Sequence, residues 1–471
     1  MNIVLTGATG YIGQRLLPVL VNRGHRVTCA VRDAGRFNPP GSIAERVETA
    51  ECDFMDAESL HQLPADVDTA FYLIHSMAGG GDYRSAEQRS AEHFADWCSR
   101  AGVRQVIYLG GIYNQEDLSE HLSSRKNVED ILSRGSYEFT ALRAGIIIGS
   151  GSASYEIIRD LVEKLPVMVT PRWLNTRSQP IAVRDVIAYL ATAVMEPRYF
   201  GKRLDIGGPD ILTYREMLLG YAEVRGLKRR IFTVPVMTPK LSSYWLYFVT
   251  ATSFRLASAL VDSMKVEVVC RPEAMPEEDA IRPLDYRSAI ERSLEAVETD
   301  HVISSWKDSF SSGLISRRLS DFIRVPSHGC RKDIRRMKVR DRQDTIDRLW
   351  RIGGQTGWYF ADFLWSLRGL MDKMIGGVGL RRGRTHDRLL QAGDALDFWR
   401  VLYADRHEGR LLLLAEMKLP GEAWLEWRFE GDILVQTASF RPRGLWGRAY
   451  WYSVVPLHAV VFRGMLRALC R

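Results

Sequence analysis

Three glycines stand three residues apart in the stretch TGATGYIG, at Gly7, Gly10 and Gly13. A short apolar run, Asn2 to Leu5, precedes them, and Ile12, Leu16, Leu17 and Leu20 follow at helical spacing before Gly24. In a strand–turn–helix each glycine then has a task. Gly7 permits the tight turn, Gly10 lets the backbone approach a pyrophosphate, and Gly13 lets the helix pack closely on the sheet. Thr6, Gly7, Thr9, Gly10, Tyr11, Ile12 and Gly13 form the candidate cofactor-binding loop, with phosphate charge at the helix N-terminus. The chemistry this implies is dinucleotide binding. Arg32, after the second apolar strand HRVTCAV, bears on which dinucleotide. An acidic residue there would hold a ribose 2′-hydroxyl, whereas a guanidinium suits a 2′-phosphate through charge-assisted hydrogen bonds. NADP is expected over NAD; Asp33, the next residue, keeps NAD open.

These residues need a scaffold. Strands alternate with helices through VETAECDF, TAFYLIHSM, a helix from about Tyr83 to Ala101, VRQVIYLGG and YEFTALRAGIIIG. That alternation predicts an α/β, doubly wound parallel sheet, the Rossmann arrangement, over residues 1–233. Residues 234–325 read as a mainly helical extension and linker. Residues 326–471 change texture, to a strand, a helix, several antiparallel strands and a closing apolar helix from about Gly447 to Leu469. Of the net charge of +7, the excess lies in this last third, with 26 Lys+Arg against 16 Asp+Glu after Val325 and 38 against 41 before it. The six cysteines are scattered, without a CxxC pair or a Cys/His cluster, so reduced thiols, no metal site and a cytoplasmic chain are expected. No basic-then-apolar export signal precedes the glycine loop. The apolar runs LSSYWLYFVTATSF and AYWYSVVPLHAVVF are shorter than the roughly twenty residues a membrane span requires.

With TGATGYIG, Arg32, the CDF turn at Cys52 to Phe54 and the FYLIHSM strand, the first 230 or so residues resemble the extended, atypical branch of the short-chain dehydrogenase/reductase superfamily. The resemblance implies that Asp53, with Phe54 beside it, binds adenine, and that Ile74, His75 and Ser76 line the dinucleotide. Through SMAGGGDY, LRAGIIIGSGSASYEIIRDLV and FRGMLRAL the whole chain resembles a bacterial group that joins such a domain to a C-terminal domain of uncharacterised function. Most of the superfamily carries a serine at the end of the fifth strand and a YxxxK pair on the next helix. Tyrosine moves the proton, while lysine lowers its pKa and grips the nicotinamide ribose. Here Gly110 and Gly111 stand where serine is expected, and HLSSRKNVEDIL puts His121 and Arg125 at the Tyr/Lys spacing, with Glu129 and Leu132 downstream. The candidate catalytic residues are His121 as an unorthodox proton donor, Arg125 as a ribose ligand that cannot give up a proton, and Tyr113 as a substitute donor. Tyr108, His75 and Ser119 are placed near the same cleft. Two functions stay open: an NADP-dependent oxidoreductase or epimerase-like enzyme with a non-standard site, and a non-catalytic NADP sensor or scaffold.

The C-terminal pattern is that of a helix-grip fold, an α+β architecture, and resembles proteins that carry hydrophobic small molecules. Trp358, Tyr359, Phe363, Trp365 and Met371 either line such a cavity or form an aromatic core. Basic stretches beside aromatic runs suit a peripheral contact with the inner face of a membrane. No nucleic-acid recognition motif stands out.

Overall fold

The computed structural model describes residues 1–34, 37, 39, 43–74, 83–113, 120–234, 264–276, 281–298, 330–354, 356–375, 377, 379, 390 and 394–471. The chain divides into two compact units, Met1–Gly313 and Leu314–Arg471.

In the first unit the strands are β1 (Asn2–Thr6), β2 (Arg26–Val31), β3 (Val47–Glu51), β4 (Thr69–Tyr72), β5 (Gln105–Gly111), β6 (Glu138–Ala144), β7 (Ile147–Ile148), β8 (Val167–Pro171), β9 (Arg177–Ser178), β10 (Ile181–Ala182), β11 (Arg203–Ile206), β12 (Leu212–Thr213) and β13 (Arg230–Val234). The helices are α1 (Tyr11–Asn22), α2 (Tyr83–Arg100), α3 (Glu120–Leu132), α4 (Ala153–Lys164), α5 (Val183–Thr192), α6 (Tyr214–Val224) and α7 (Tyr286–Glu298). Seven strands form one parallel sheet in the order β11-β6-β5-β4-β1-β2-β3. The order reverses beside β1, so a crevice opens at the carboxyl end of β1, where doubly wound sheets bind ligands. Successive side chains of each strand enter opposite layers. Ile3, Leu5, Phe71, Ile107 and Leu142 join one core, and Val4, Ala70, Tyr72, Val106 and Tyr108 the other. Burial on both faces explains why these strands read as continuous apolar runs. A third cluster packs α4, α6 and α7 through Tyr155, Leu161, Met217, Tyr221, Tyr286 and Ile290. The described part of the segment read as an extension, including the Ser178–Val268 bridge and α7, is therefore built into this unit.

The second unit holds β14 (Arg331–Lys338), α8 (Arg342–Leu349), α9 (Asp362–Met374), β15 (Ala395–Leu396), β16 (Trp399–Asp405), β17 (Arg410–Ala415), β18 (Gly421–Glu430), β19 (Ile433–Pro442) and α10 (Gly444–Leu469). Its six strands make an antiparallel sheet in the order β14-β19-β18-β17-β16-β15. Phe462, Met465, Leu466 and Leu469 of α10 pack into the same core as Leu411, Leu413, Leu425 and Trp427 of the sheet. Trp358 and Trp365 are buried in a ring cluster with Phe398 and Trp399, and Trp358 Nε1 donates to Asp397 Oδ2 at 2.9 Å. The five residues offered as a cavity lining separate. Trp358 and Trp365 are core, Tyr359 is half-buried, and Phe363 and Met371 face solvent because they lie on the side of α9 opposite Trp365.

Candidate functional site

The glycine loop has the geometry its spacing implies. Gly7 sits at φ +66°, and a Cβ there would fall 2.6 Å from Leu73 O. A Cβ on Gly13 would fall 2.2 Å from Gly7 O, so α1 packs against the turn with no room for a methyl. The Gly10 N–H donates to Gly7 O at 2.8 Å and closes the turn. Helices α4 and α6 start on side-chain caps, from Ser152 and from Thr213 with Glu216, whereas α1 starts on Gly10 and has none. A helix N-terminus placed after the carboxyl end of β1 suits a phosphate. Thr6 is fully buried and its Oγ1 accepts the Leu73 N–H at 3.0 Å, so it ties β1 to the end of β4. Tyr11 is held by Arg15, whose guanidinium lies 4.1 Å from the ring centroid; burial pushes its hydroxyl up to about 12.

Around this cradle Arg32 is exposed just beyond β2, while Asp33 is buried. Asp53 is half-buried and caps its own turn, its Oδ1 accepting the Met55 N–H at 3.0 Å. Phe54 packs on Phe94, and Ile74 is half-buried at the end of β4. His75, Ser76 and Ser119 lie outside the described residues, as does the side chain of His121; the position of His121 on α3 is described.

At the carboxyl end of β5 the missing serine is replaced by close packing. A Cβ on Gly110 would lie 2.9 Å from Tyr108 Cε1, and one on Gly111 would lie 3.1 Å from Leu122 Cδ2 and 3.7 Å from Arg125 Cδ. Arg125 therefore stands against the end of β5. Its Nε is buried and has no hydrogen-bond partner among the described residues, and burial pulls the guanidinium below its ordinary value. An orphaned buried donor at the position where the superfamily's lysine grips ribose fits a ligand hydroxyl.

Tyr113 is drawn elsewhere. Its hydroxyl donates to Glu129 Oε1 at 3.1 Å and accepts from Arg143 Nη2, and the Arg143 guanidinium lies 4.3 Å from its ring. Burial, then the Glu129 charge, holds the phenol well above its ordinary value. These groups belong to a charge cluster that sequence reading passed over. Glu129 and Arg143 pair at 2.6 Å with side chains 1% and 5% exposed. Arg203 joins Glu129 at 3.0 Å, and Asp205, fully buried, takes Arg271 at 2.9 Å and Arg143 at 3.8 Å. Register explains the assembly, since Gly110, Arg143 and Asp205 are neighbours across β5, β6 and β11. The signal available was a charged residue inside each of two apolar strand runs, LRAGIII and RLDIGG. Among the described residues no group of His, Cys, Asp and Glu could hold a metal ion, and all six cysteines are free.

A family model described as NAD(P)H-binding matches residues 7–172, and one described as a protein of unknown function matches residues 331–465. The chain is 26% identical over 222 residues to the chloroplastic divinyl chlorophyllide a 8-vinyl-reductase of Zea mays, covering 44% of this chain and 55% of that protein. It is 25% identical over 236 residues to the ceramide reductase of Caulobacter vibrioides (strain NA1000 / CB15N), covering 50% of this chain and 73% of that protein. Across four divinyl chlorophyllide reductases the chain spans 55–61% of the relative's length. Among solved structures, the triphenylmethane reductase of Citrobacter sp. superposes with a TM-score of 0.50 at 17% identity, covering 63% of this chain and 100% of that one. The Bordetella bronchiseptica enzyme WbmG in complex with NAD gives 0.50 at 12%, covering 65% and 96%. At these identities the likeness is one of fold. The chain joins an NAD(P)-binding Rossmann domain to a separate C-terminal domain matched by the family of unknown function.

Proposed function

We propose that this chain is an NADPH-dependent reductase of a large apolar acceptor, with the Tyr/Lys pair of its superfamily replaced by His121 and Arg125. The observation that carries the reading is Arg125, a half-buried cation whose Cδ stands against Gly111 at the end of β5 and whose buried Nε has no hydrogen-bond partner among the described residues. NADPH, when bound, supplies a hydride. Gly7, Gly10 and Gly13 hold its pyrophosphate, Arg32 its 2′-phosphate, Asp53 its adenosine end, and Arg125 a ribose hydroxyl. His121, one helical turn before Arg125, gives the proton that completes reduction of a polarised C=C or C=O bond. A histidine must carry the proton it gives, so turnover should rise as pH falls through the histidine range. The acceptor class rests on the relatives, which are named for reducing a vinyl tetrapyrrole and a ceramide. The strand order of the second unit, with β14 beside the last strand and α10 closing the core, supports the helix-grip reading.

The capture of Tyr113 by Glu129 and Arg143 favours a second reading, an NADP sensor without turnover, because it commits one candidate donor. Stopped-flow oxidation of bound NADPH across vinyl porphyrins, ceramide-type ketones and quinones separates the two. Turnover lost in His121→Ala supports the enzyme; tight NADPH binding with no turnover by any acceptor leaves the sensor.

A further inference from the structure

Helix α9 is amphipathic in the wrong sense for a protein in water. Its inward side carries Trp365, Gly369 and Asp372, and its outward side carries Phe363 (72% exposed), Leu367, Leu370, Met371, Met374 (72%) and the adjoining Ile375. These six recur at intervals of three and four residues and form one continuous ridge. The acid in the body of the helix is turned away from it, since Asp372 is fully buried and accepts the N–H groups of Lys418 (2.7 Å) and Gly379 (2.8 Å). Cations rim the ridge. Arg368 and Lys373 flank it on α9, and Lys418 Nζ donates to Ile375 O at 2.8 Å at the helix end.

The turn that enters α9 carries the apolar surface to the C-terminal helix. Phe360 lies against Gly464, where a Cβ would fall 2.3 Å from its ring. Beside that contact is a groove of about 470 Å³ lined by Tyr359, Phe360, Val460, Arg463, Arg467 and Arg471. Arg463 and Arg467 stand one helical turn apart on the exposed side of α10, Arg471 lies just beyond the helix end, and among the described residues none of the three has an acidic partner. No helix among the described residues is long and apolar enough to cross a membrane.

An apolar ridge beside an arginine line has the layout of a helix that lies in a bilayer interface, side chains below the headgroups and guanidinium groups at the phosphates. We infer that α9, with Arg463 and Arg467 of α10 and Arg471 beyond its end, docks this protein on an anionic lipid surface. A second copy of the chain is the poorer occupant: a two-fold contact through this ridge would set the same cationic rims against each other. This inference is independent of turnover at the dinucleotide site.

Flotation of the full-length protein with phosphatidylcholine vesicles, with and without about one-third phosphatidylglycerol, tests it. The expected result is flotation with the anionic vesicles only, weakened by salt. The double variant Leu367→Asp/Met371→Asp, which changes only exposed side chains, should lose flotation while its thermal unfolding is unchanged. Arg463→Glu/Arg467→Glu should bind anionic vesicles roughly thirtyfold more weakly. Failure of the parent protein to float overturns the inference, as does flotation that survives the double variant. A parent dimer that does not float, and that the double variant converts to monomer, would show the ridge to be a protein interface and also overturn it.

Discussion

Gly13→Ala tests whether the glycine spacing is a packing requirement of the dinucleotide site. The added methyl would sit 2.2 Å from Gly7 O, 2.8 Å from Ala8 Cα and 2.9 Å from Gly7 C, all backbone atoms that cannot rotate away. Ordinary contacts are about 3.5 Å or more, so α1 must retreat from the turn by roughly 1 Å. Overpacking of this kind costs about 1–3 kcal/mol of stability. The retreat also moves the helix N-terminus off the phosphate. Losing two hydrogen bonds to a charged group, at about 1.5–3 kcal/mol each, lowers NADPH affinity on the order of 100-fold or more. Gly24→Ala is the matched control. Gly24, unlike Gly13, has a positive φ, +85°, and a Cβ there meets nothing within 4 Å. That variant should lose about 1–2 kcal/mol from backbone strain alone and bind NADPH like the parent. Urea unfolding gives the stabilities and NADPH fluorescence titration the affinities. Equal binding by the two variants, at comparable stability, would refute the assignment of Gly13 to the phosphate cradle.

Arg32→Asp should weaken NADPH by about 1.5–3 kcal/mol, roughly 10–100-fold, while leaving NADH unchanged or improved, as titration with each dinucleotide will show. Tyr113→Phe removes one hydroxyl from a cluster whose Glu129–Arg143 pair persists, so it should cost about 1 kcal/mol in urea unfolding and leave NADPH oxidation within twofold. Glu129→Ala instead leaves Arg143, among the described residues, with the Tyr113 hydroxyl and with Asp205 at 3.8 Å as its remaining acidic partner, and should cost about 3–5 kcal/mol. His458 packs on Trp451 and Phe462, and burial lowers its pKa to about 4, with Asp333 opposing and Arg335 adding to the shift. The unfolded chain then takes up a proton first. The stability His458 contributes is present above about pH 6.5 and is lost as pH falls toward 4, by about 2–3 kcal/mol. His458→Phe should flatten that part of the pH profile of the second unit in chemical unfolding.

The parallel sheet and the glycine loop were legible in the sequence because their physics is local. Strands buried on both faces write apolar runs such as VIYL and IVL, and a turn that backbone must approach writes glycine at fixed intervals. The antiparallel C-terminal series was legible for the same reason, its strands being bounded by Gly, Pro and Asp. The charge cluster was not, because it is a product of register. Nothing in the separate stretches of Glu129, Arg143, Arg203 and Asp205 says that β6 lies between β5 and β11. Helix α9 shows the complementary failure. Its apolar positions are periodic whether they face a core or solvent, so the aromatic stretch around it supported a cavity and a core equally. Only the placement of Trp365 and Asp372 inward identifies Phe363 and Met371 as the outer face.

The departure from the superfamily's chemistry is built into the packing and is more than the loss of single residues. Tyr108 occupies the space above Gly110, 2.9 Å from where a Cβ would stand, and its hydroxyl donates to Arg125 O at 3.2 Å, which ties β5 to α3. Restoring a serine at Gly110 would push on that ring and on the helix that carries His121 and Arg125. Ser124 Oγ donates to the buried Glu87 carboxylate of α2, so the residue beside Arg125 is fixed to the helix behind it. Arg143, the neighbour of Gly110 in register, belongs to Glu129, Tyr113 and Asp205. The positions around Gly110 are thus committed to other partners, whereas the buried Arg125 Nε has no hydrogen-bond partner among the described residues. On the proposed function, chemistry on a bound dinucleotide runs through α3, which carries His121 and Arg125 at the spacing of the usual pair.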